Sequence, residues 1–140
     1  MPPAPLVEAI AAEVGTPFYA YDLDLFRTRI RALKATFAGV PHLICYAVKA
    51  NDALALLRVA AEEGLGADVV SQGELDKALR AGVPAERIVF SGVGKQRGEI
   101  AAALAAGIRS VNIEALDELD DVTEEARQLG TVAPVSVFGW

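Results

Sequence analysis

HLICYAVK, residues 42–49, is a run of apolar and β-forming side chains that stops on a lysine, after which Asn51 and Asp52 turn the chain polar. Runs of the same kind recur at ADVVS (67–71), RIVFSG (87–92), SVNIE (110–114) and APVSV (133–137), roughly every 20 to 24 residues. Each of the first four is followed by a stretch with a helical stripe: Leu54, Leu57 and Ala61; Leu75, Ala78 and Leu79; Ile100, Leu104 and Ile108; and Leu116, Leu119, Val122, Ala126 and Leu129. Gly64, Gly82, Gly107 and Gly130 stand where these helices should stop. Strands apolar on both faces that alternate with helices predict a parallel sheet of βα units. Short, uniform units without a Gly-rich dinucleotide turn after the first strand favour a barrel over an open doubly wound sheet. The expected class is therefore α/β, the N-terminal part of a (β/α)8 TIM-type barrel with about four βα units plus a fifth strand. A complete barrel takes about 250 residues, and this chain has 140.

Working back toward the N-terminus, residues 1–38 are expected to hold a helix over 6–14 that stops at Gly15, a strand PFYAYD over 17–22, and a second helix leading into the barrel of residues 39–140. The second helix carries Phe26, Ile30, Leu33 and Phe37 on one stripe, with Asp22 or Asp24 as its cap.

Composition removes several function classes. Hydrophobic residues make up 53% of the chain, enough for one core, while 23% are charged and the formal net charge is −6. There is no basic stripe to neutralise phosphates, so nucleic acid is excluded as a partner. No apolar run approaches the roughly 20 residues of a spanning helix, and the segment MPPAPLVEAIAAEVGTP lacks the basic start of a secretory signal. The expectation is a cytoplasmic protein with no membrane partner. A single cysteine, Cys45, forbids an internal disulfide and fits a reducing compartment. Cys45 and the single His42 fall short of a zinc ligand set, so no metal is expected.

Reactive groups of βα folds gather at the C-terminal ends of the strands, where Lys49 lies. A lysine partly desolvated at such a mouth offers a neutral amine that can condense with an aldehyde; alternatively, Lys49 marks the strand's exit to water. Asp68, in the second run, is either an acid facing the site or a capping or turn residue after Gly66. Ser71 and Glu74 form the S-x-x-E capping box of the next helix. SGVGK (91–95) has glycines that could free N–H groups for an anion, yet it fails as a Walker motif: Val89 replaces the first glycine and Gln96 the Ser or Thr. Glu114 is either an active-site neighbour or, as the favoured reading, part of a solvated helix start, and the acids of DELDDVTEE are expected on the outer face of the last helix, where its dipole favours them early on. His42 is read as structural and Cys45 as core.

Four stretches in order, TPFYAYD (16–22), CYAVKAN (45–51), GLGADVVSQGEL (64–75) and VFSGVGK (89–95), resemble the diaminopimelate decarboxylases, members of the alanine-racemase-like (fold type III) pyridoxal-phosphate enzymes. The resemblance covers nearly the whole chain. It implies that Lys49 holds pyridoxal 5'-phosphate covalently, that Asp68 lies close to the cofactor, and that a small amino-acid substrate is decarboxylated, diaminopimelate to lysine, in an enzyme that is a homodimer at full length. It also implies that the SGVGK loop lines the cofactor mouth. Ala115 departs from the serine usual at that position, which removes a helix cap worth about 1 kcal/mol.

Related readings keep the cofactor but change the substrate to ornithine, arginine or a racemisation, or make the chain a non-enzymatic half-barrel that pairs with an intact subunit. Family members are roughly three times longer. Their ring-stacking histidine, phosphate loop, substrate arginine and dimer-donated cysteine have no counterpart here, and the sequence departs from the family at FGW (138–140). The expectation is a truncated, inactive N-terminal part, weakly stable or self-associating because its edge strands are unpaired and an apolar central layer is uncovered.

Overall fold

The computed structural model describes residues 3–137, so FGW lies outside the described residues. Helices α1 (Ala4–Val14) and α2 (Leu23–Thr36) precede strand β1 (Cys45–Ala47). There follow α3 (Leu54–Glu62), β2 (Gly66–Val69), α4 (Gln72–Arg80), β3 (Ile88–Phe90), α5 (Arg97–Ala106), β4 (Ser110–Ile113), α6 (Leu116–Leu129) and β5 (Val135–Val137). The five strands form one sheet in the order β1-β2-β3-β4-β5, and every neighbouring pair is parallel. A doubly wound sheet reverses its strand order at a switch point, whereas a barrel adds each strand beside the last. The uninterrupted order is that of a barrel segment.

Register separates the two faces of the sheet. Ala67, Val69, Ile88, Phe90 and Val111 are fully buried beneath the helices, with Leu57, Leu75, Ala78, Ile100 and Val122 packed into the same core. Side chains alternate along a strand and agree across a parallel pair. The opposite face therefore carries the row Ala47, Asp68, Val89 and Ser110, followed by Ser91, Asn112 and Ser136. This corrects the expectation of strands apolar on both sides and of an apolar central layer. The second face is polar, and Ser91, Ser110, Asn112 and Ser136 bond to one another across it. Cys45 belongs to that face, half-buried, and not to the helix-covered core.

PFYAYD forms no strand. Residues 17–22 run extended without a ladder partner, and Tyr19 and Tyr21 stack on each other at the surface. A strand-like pattern becomes a strand only by pairing, and residues 17–22 pair with none of the five described strands, although β1 keeps a free edge.

Asp22 caps α2 by accepting the Leu25 N–H at 2.8 Å. Of the stripe expected on α2, Ile30 is buried and Phe26 packs edge-on to Tyr46, but Leu33 and Phe37 face solvent. Leu79 is likewise exposed. On α6 the buried residues are Glu118, Val122, Glu125 and Ala126, while Leu116, Leu119 and Leu129 are exposed. Two carboxylates of DELDDVTEE thus lie inward, drawn there by cations: Lys95 meets Glu118, and Arg97 meets Glu125 at 2.7 Å.

Outside the barrel core, α2 is clamped to the end of α3 by Arg27 and Arg31, both on Glu63 at 2.8 Å. Hydrogen bonds first from Arg31 and then from Arg27 hold the Glu63 carboxyl down to about 2. A carboxyl depressed on folding stabilises the native state above its ordinary pKa, about 4.3, and loses that contribution as pH falls through the folded value. Glu63→Gln is therefore expected to lower the melting temperature at pH 6 to 7, with the gap from wild type closing as pH falls from about 4 to 2; thermal melts across that range check it.

Candidate active site

Lys49 sits on a single 3₁₀ turn, Val48–Ala50, directly after β1. The turn is pinned from both sides. Val48 is fully buried among the helices, the Tyr46 hydroxyl donates to the Asn51 carbonyl at 3.0 Å, and the Asn51 side chain accepts the Ala53 N–H at 3.0 Å. The lysine itself is exposed, which corrects the expected partial desolvation. The other three lysines are engaged. Lys34 donates to the Glu63 carbonyl, Lys77 pairs with Asp52, and Lys95 is buried against Glu118. Among the described residues Lys49 alone of the four has no hydrogen-bond or ion-pair partner.

Asp68 lies inside β2, in register with Ala47 of β1, and so is neither a cap nor a turn residue. Its Oδ1 is buried and has no hydrogen-bond partner. Leaving such an atom unsatisfied costs about 1–3 kcal/mol, and more when charged. Beneath it, burial and then the charge of Asp68 push the Cys45 thiol up, so the cysteine stays protonated and is a poor nucleophile.

Of the expected capping box only half forms: Ser71 caps α4, its Oγ accepting the Glu74 N–H at 3.3 Å, while Glu74 Oε2 accepts the N–H of Val70, one residue earlier, at 2.9 Å. The SGVGK loop does not present its lysine to an anion. Lys95 turns inward, with its side chain 1% exposed, and donates to the Gly92 carbonyl and to Glu118. Ala115 leaves the start of α6 without a side-chain cap, and Glu118 Oε2 takes the Glu114 N–H instead at 2.9 Å. Burial pushes the Glu118 carboxyl up, but the Glu114 N–H and the Lys95 charge outweigh it and the net direction is down. Glu114 is exposed at the strand end, where it accepts the Gly92 N–H.

Sequence reasoning met Ser91 and Lys95 only as the ends of the SGVGK loop and did not single out Asn112. Strand parity held the signal for Ser91 and Asn112, since a polar residue at every second position of FSG and SVNIE marks the face away from the helices.

The match to known proteins decides the family. The family model described as "Pyridoxal-dependent decarboxylase, pyridoxal binding domain" matches residues 23–137. The chain belongs to the pyridoxal-dependent decarboxylases. Diaminopimelate decarboxylase of Pseudomonas aeruginosa is 44% identical over 128 residues, which is 91% of this chain and 31% of that protein. The crystal structure of the Helicobacter pylori diaminopimelate decarboxylase complexed with L-lysine matches with a TM-score of 0.90 and 43% identity, over 94% of this chain and 33% of that one. A lysine/ornithine decarboxylase from Vibrio vulnificus, complexed with putrescine, matches at 27% identity and a TM-score of 0.82, over 94% of this chain and 35% of that one. This pyridoxal-dependent decarboxylase chain spans about a third of the length of the relatives it matches. Its residues fit the cofactor of the family, pyridoxal phosphate: an unengaged amine on the turn after β1 and a buried, unpartnered carboxylate oxygen on the adjacent strand β2. Among the described residues no helix is long and apolar enough to cross a membrane, and no cluster of His, Cys, Asp and Glu could hold a metal ion.

Proposed function

We propose that this chain is the lysine-bearing part of a pyridoxal-phosphate carboxy-lyase that converts meso-diaminopimelate to L-lysine, acting in the cytoplasm as a homodimer at full length. The observation that carries the reading is the single unengaged lysine on the turn after β1, together with the orphan oxygen of Asp68 on the neighbouring strand β2, in register with Ala47. Pyridoxal phosphate, when bound, supplies an electron sink for the bonding pair left behind as carbon dioxide departs. Lys49 would hold the cofactor through its aldehyde, and the pinned turn fixes where that amine can reach. The same amine, when not holding the cofactor, would be the group placed to carry a proton. Asp68 offers an acceptor with no competing partner, so it can orient a donor near the amine. The polar row of Ser91, Ser110, Asn112 and Ser136 is already paired within itself and serves as the floor.

Diaminopimelate is favoured over other basic amino acids because identity is 43–44% to proteins of that name and 27% to a lysine/ornithine decarboxylase of similar fold. Product analysis of the protein that carries this segment, offered meso-diaminopimelate, ornithine and arginine in turn with pyridoxal phosphate, tests it. Lysine from diaminopimelate alone is the expected result, and putrescine or agmatine as main product contradicts it.

Asp68→Ala separates a cofactor role from a structural one. Removing the unsatisfied oxygen is expected to raise the melting temperature of the cofactor-free protein, by up to about 2 kcal/mol in stability, while weakening pyridoxal phosphate binding about tenfold. Thermal melts and cofactor titration read the two effects. A structural aspartate would instead lose stability on replacement.

A further inference from the structure

The loops after β3 and β4 are joined by a closed circuit of hydrogen bonds that includes a buried ion pair. Lys95 Nζ donates to the Gly92 carbonyl at 2.5 Å and to both oxygens of Glu118 at 3.3 Å. Glu118 Oε2 accepts the Glu114 N–H at 2.9 Å, and Glu114 Oε1 accepts the Gly92 N–H at 2.9 Å, which returns to the starting residue. The Lys95 and Glu118 side chains are 1% and 11% exposed. One step inward, the Asn112 amide donates to Ser91 Oγ at 2.9 Å, so the circuit continues into the polar face of the sheet.

A buried ion pair contributes little net stability, because desolvation offsets the attraction; its best-attested use is to fix one geometry among several. Here it fixes glycine-containing loop backbone. Gly92 and Gly94 adopt φ of 91° and 70°, a left-handed conformation in which a glycine loop has other nearby states unless it is tied down. The tied loops lie at the same sheet edge as Lys49, two and three strands away.

We infer that Lys95 and Glu118 are positioning residues that lock the loops after β3 and β4 into one rigid lip of the cofactor mouth. The inference rests on the cofactor reading above. Neither residue touches the reacting amine; they act through the backbone of Gly92 and Glu114.

The test uses the full chain with Lys95→Met, the double variant Lys95→Met/Glu118→Gln, and Val122→Ala as a control that loosens α6 outside the circuit. Two quantities are read: amide hydrogen exchange at Gly92 and Glu114 without cofactor, and the dissociation constant for pyridoxal phosphate. In Lys95→Met both amides are expected to exchange faster together, and the dissociation constant to rise about tenfold. The control should leave both near wild type at a comparable loss of melting temperature. Unchanged exchange at the two amides, or an equal affinity loss in Val122→Ala, overturns the inference. Should the single variant not fold, the neutral double variant supplies the same two readings, and failure of both to fold makes the pair a folding determinant and overturns it as well. If wild type takes up no pyridoxal phosphate, the cofactor reading fails, while the exchange data still decide whether the circuit holds the loops.

Discussion

Lys49→Ala is expected to abolish borohydride-fixed pyridoxal phosphate on this chain, a loss of at least about a hundredfold, and to leave the melting temperature within about 0.5 kcal/mol of wild type. Both halves follow from one placement. The side chain is exposed and unpartnered among the described residues, so removing it breaks no contact of the fold. The turn beneath it stays pinned by Val48, Tyr46 and Asn51, so the loss is of the amine alone. Lys49→Arg should lose the cofactor equally, because a guanidinium keeps the charge but does not condense with an aldehyde at neutral pH. Retained fixation in either variant would mean that another lysine takes the cofactor, and a large drop in melting temperature would mean that Lys49 serves the fold.

The second large effect falls on Gly66, at the start of β2. A Cβ there would stand 2.2 Å from the Arg87 carbonyl oxygen and 2.9 Å from Cys45 Sγ. The first contact is with the backbone just ahead of β3, which cannot swing aside as a side-chain tip can. Gly66→Ala is expected to push β2 and β3 apart and to cost about 3 kcal/mol or more, against a total of about 5–15 for an ordinary domain. Most of the protein should then be insoluble on expression, or melt far below wild type. Pairing the change with Cys45→Ala relieves the Sγ contact and leaves the carbonyl contact, so only a small recovery is expected. Full recovery would place the obstruction at the thiol instead.

The fold was readable because two periods alternate along the chain. Runs such as ADVVS and RIVFSG, each followed by a 3.6-residue stripe, leave little choice but βα units, and five strands appear where five runs stand. What misled was the use of apolar residues without asking what lies opposite. PFYAYD has the composition of a strand but pairs with none of the five. Leu116, Leu119 and Leu129 look like a core stripe, yet α6 turns Glu118 and Glu125 inward because Lys95 and Arg97 wait there. Long-range ion pairs between α5, its leading loop and α6 leave no trace in a local period.

The site was legible to a similar degree. Lys49 could be placed from the end of its strand, and the wording of YAVKAN supplied the chemistry. Asp68 stayed ambiguous, since an aspartate two residues after a glycine fits a turn as well as a strand; only register put it on the polar face. The inward course of Lys95 could not be foreseen from SGVGK, a segment that suggests anion binding when read alone.

Peptide mapping after borohydride reduction with pyridoxal phosphate tests the central claim most directly. The chain has four lysines, at 34, 49, 77 and 95, three of them already engaged. Modification concentrated on the peptide that contains Lys49 is the expected result. Label spread over Lys34 and Lys77 in proportion to exposure, with Lys49 no more modified than they are, would contradict it.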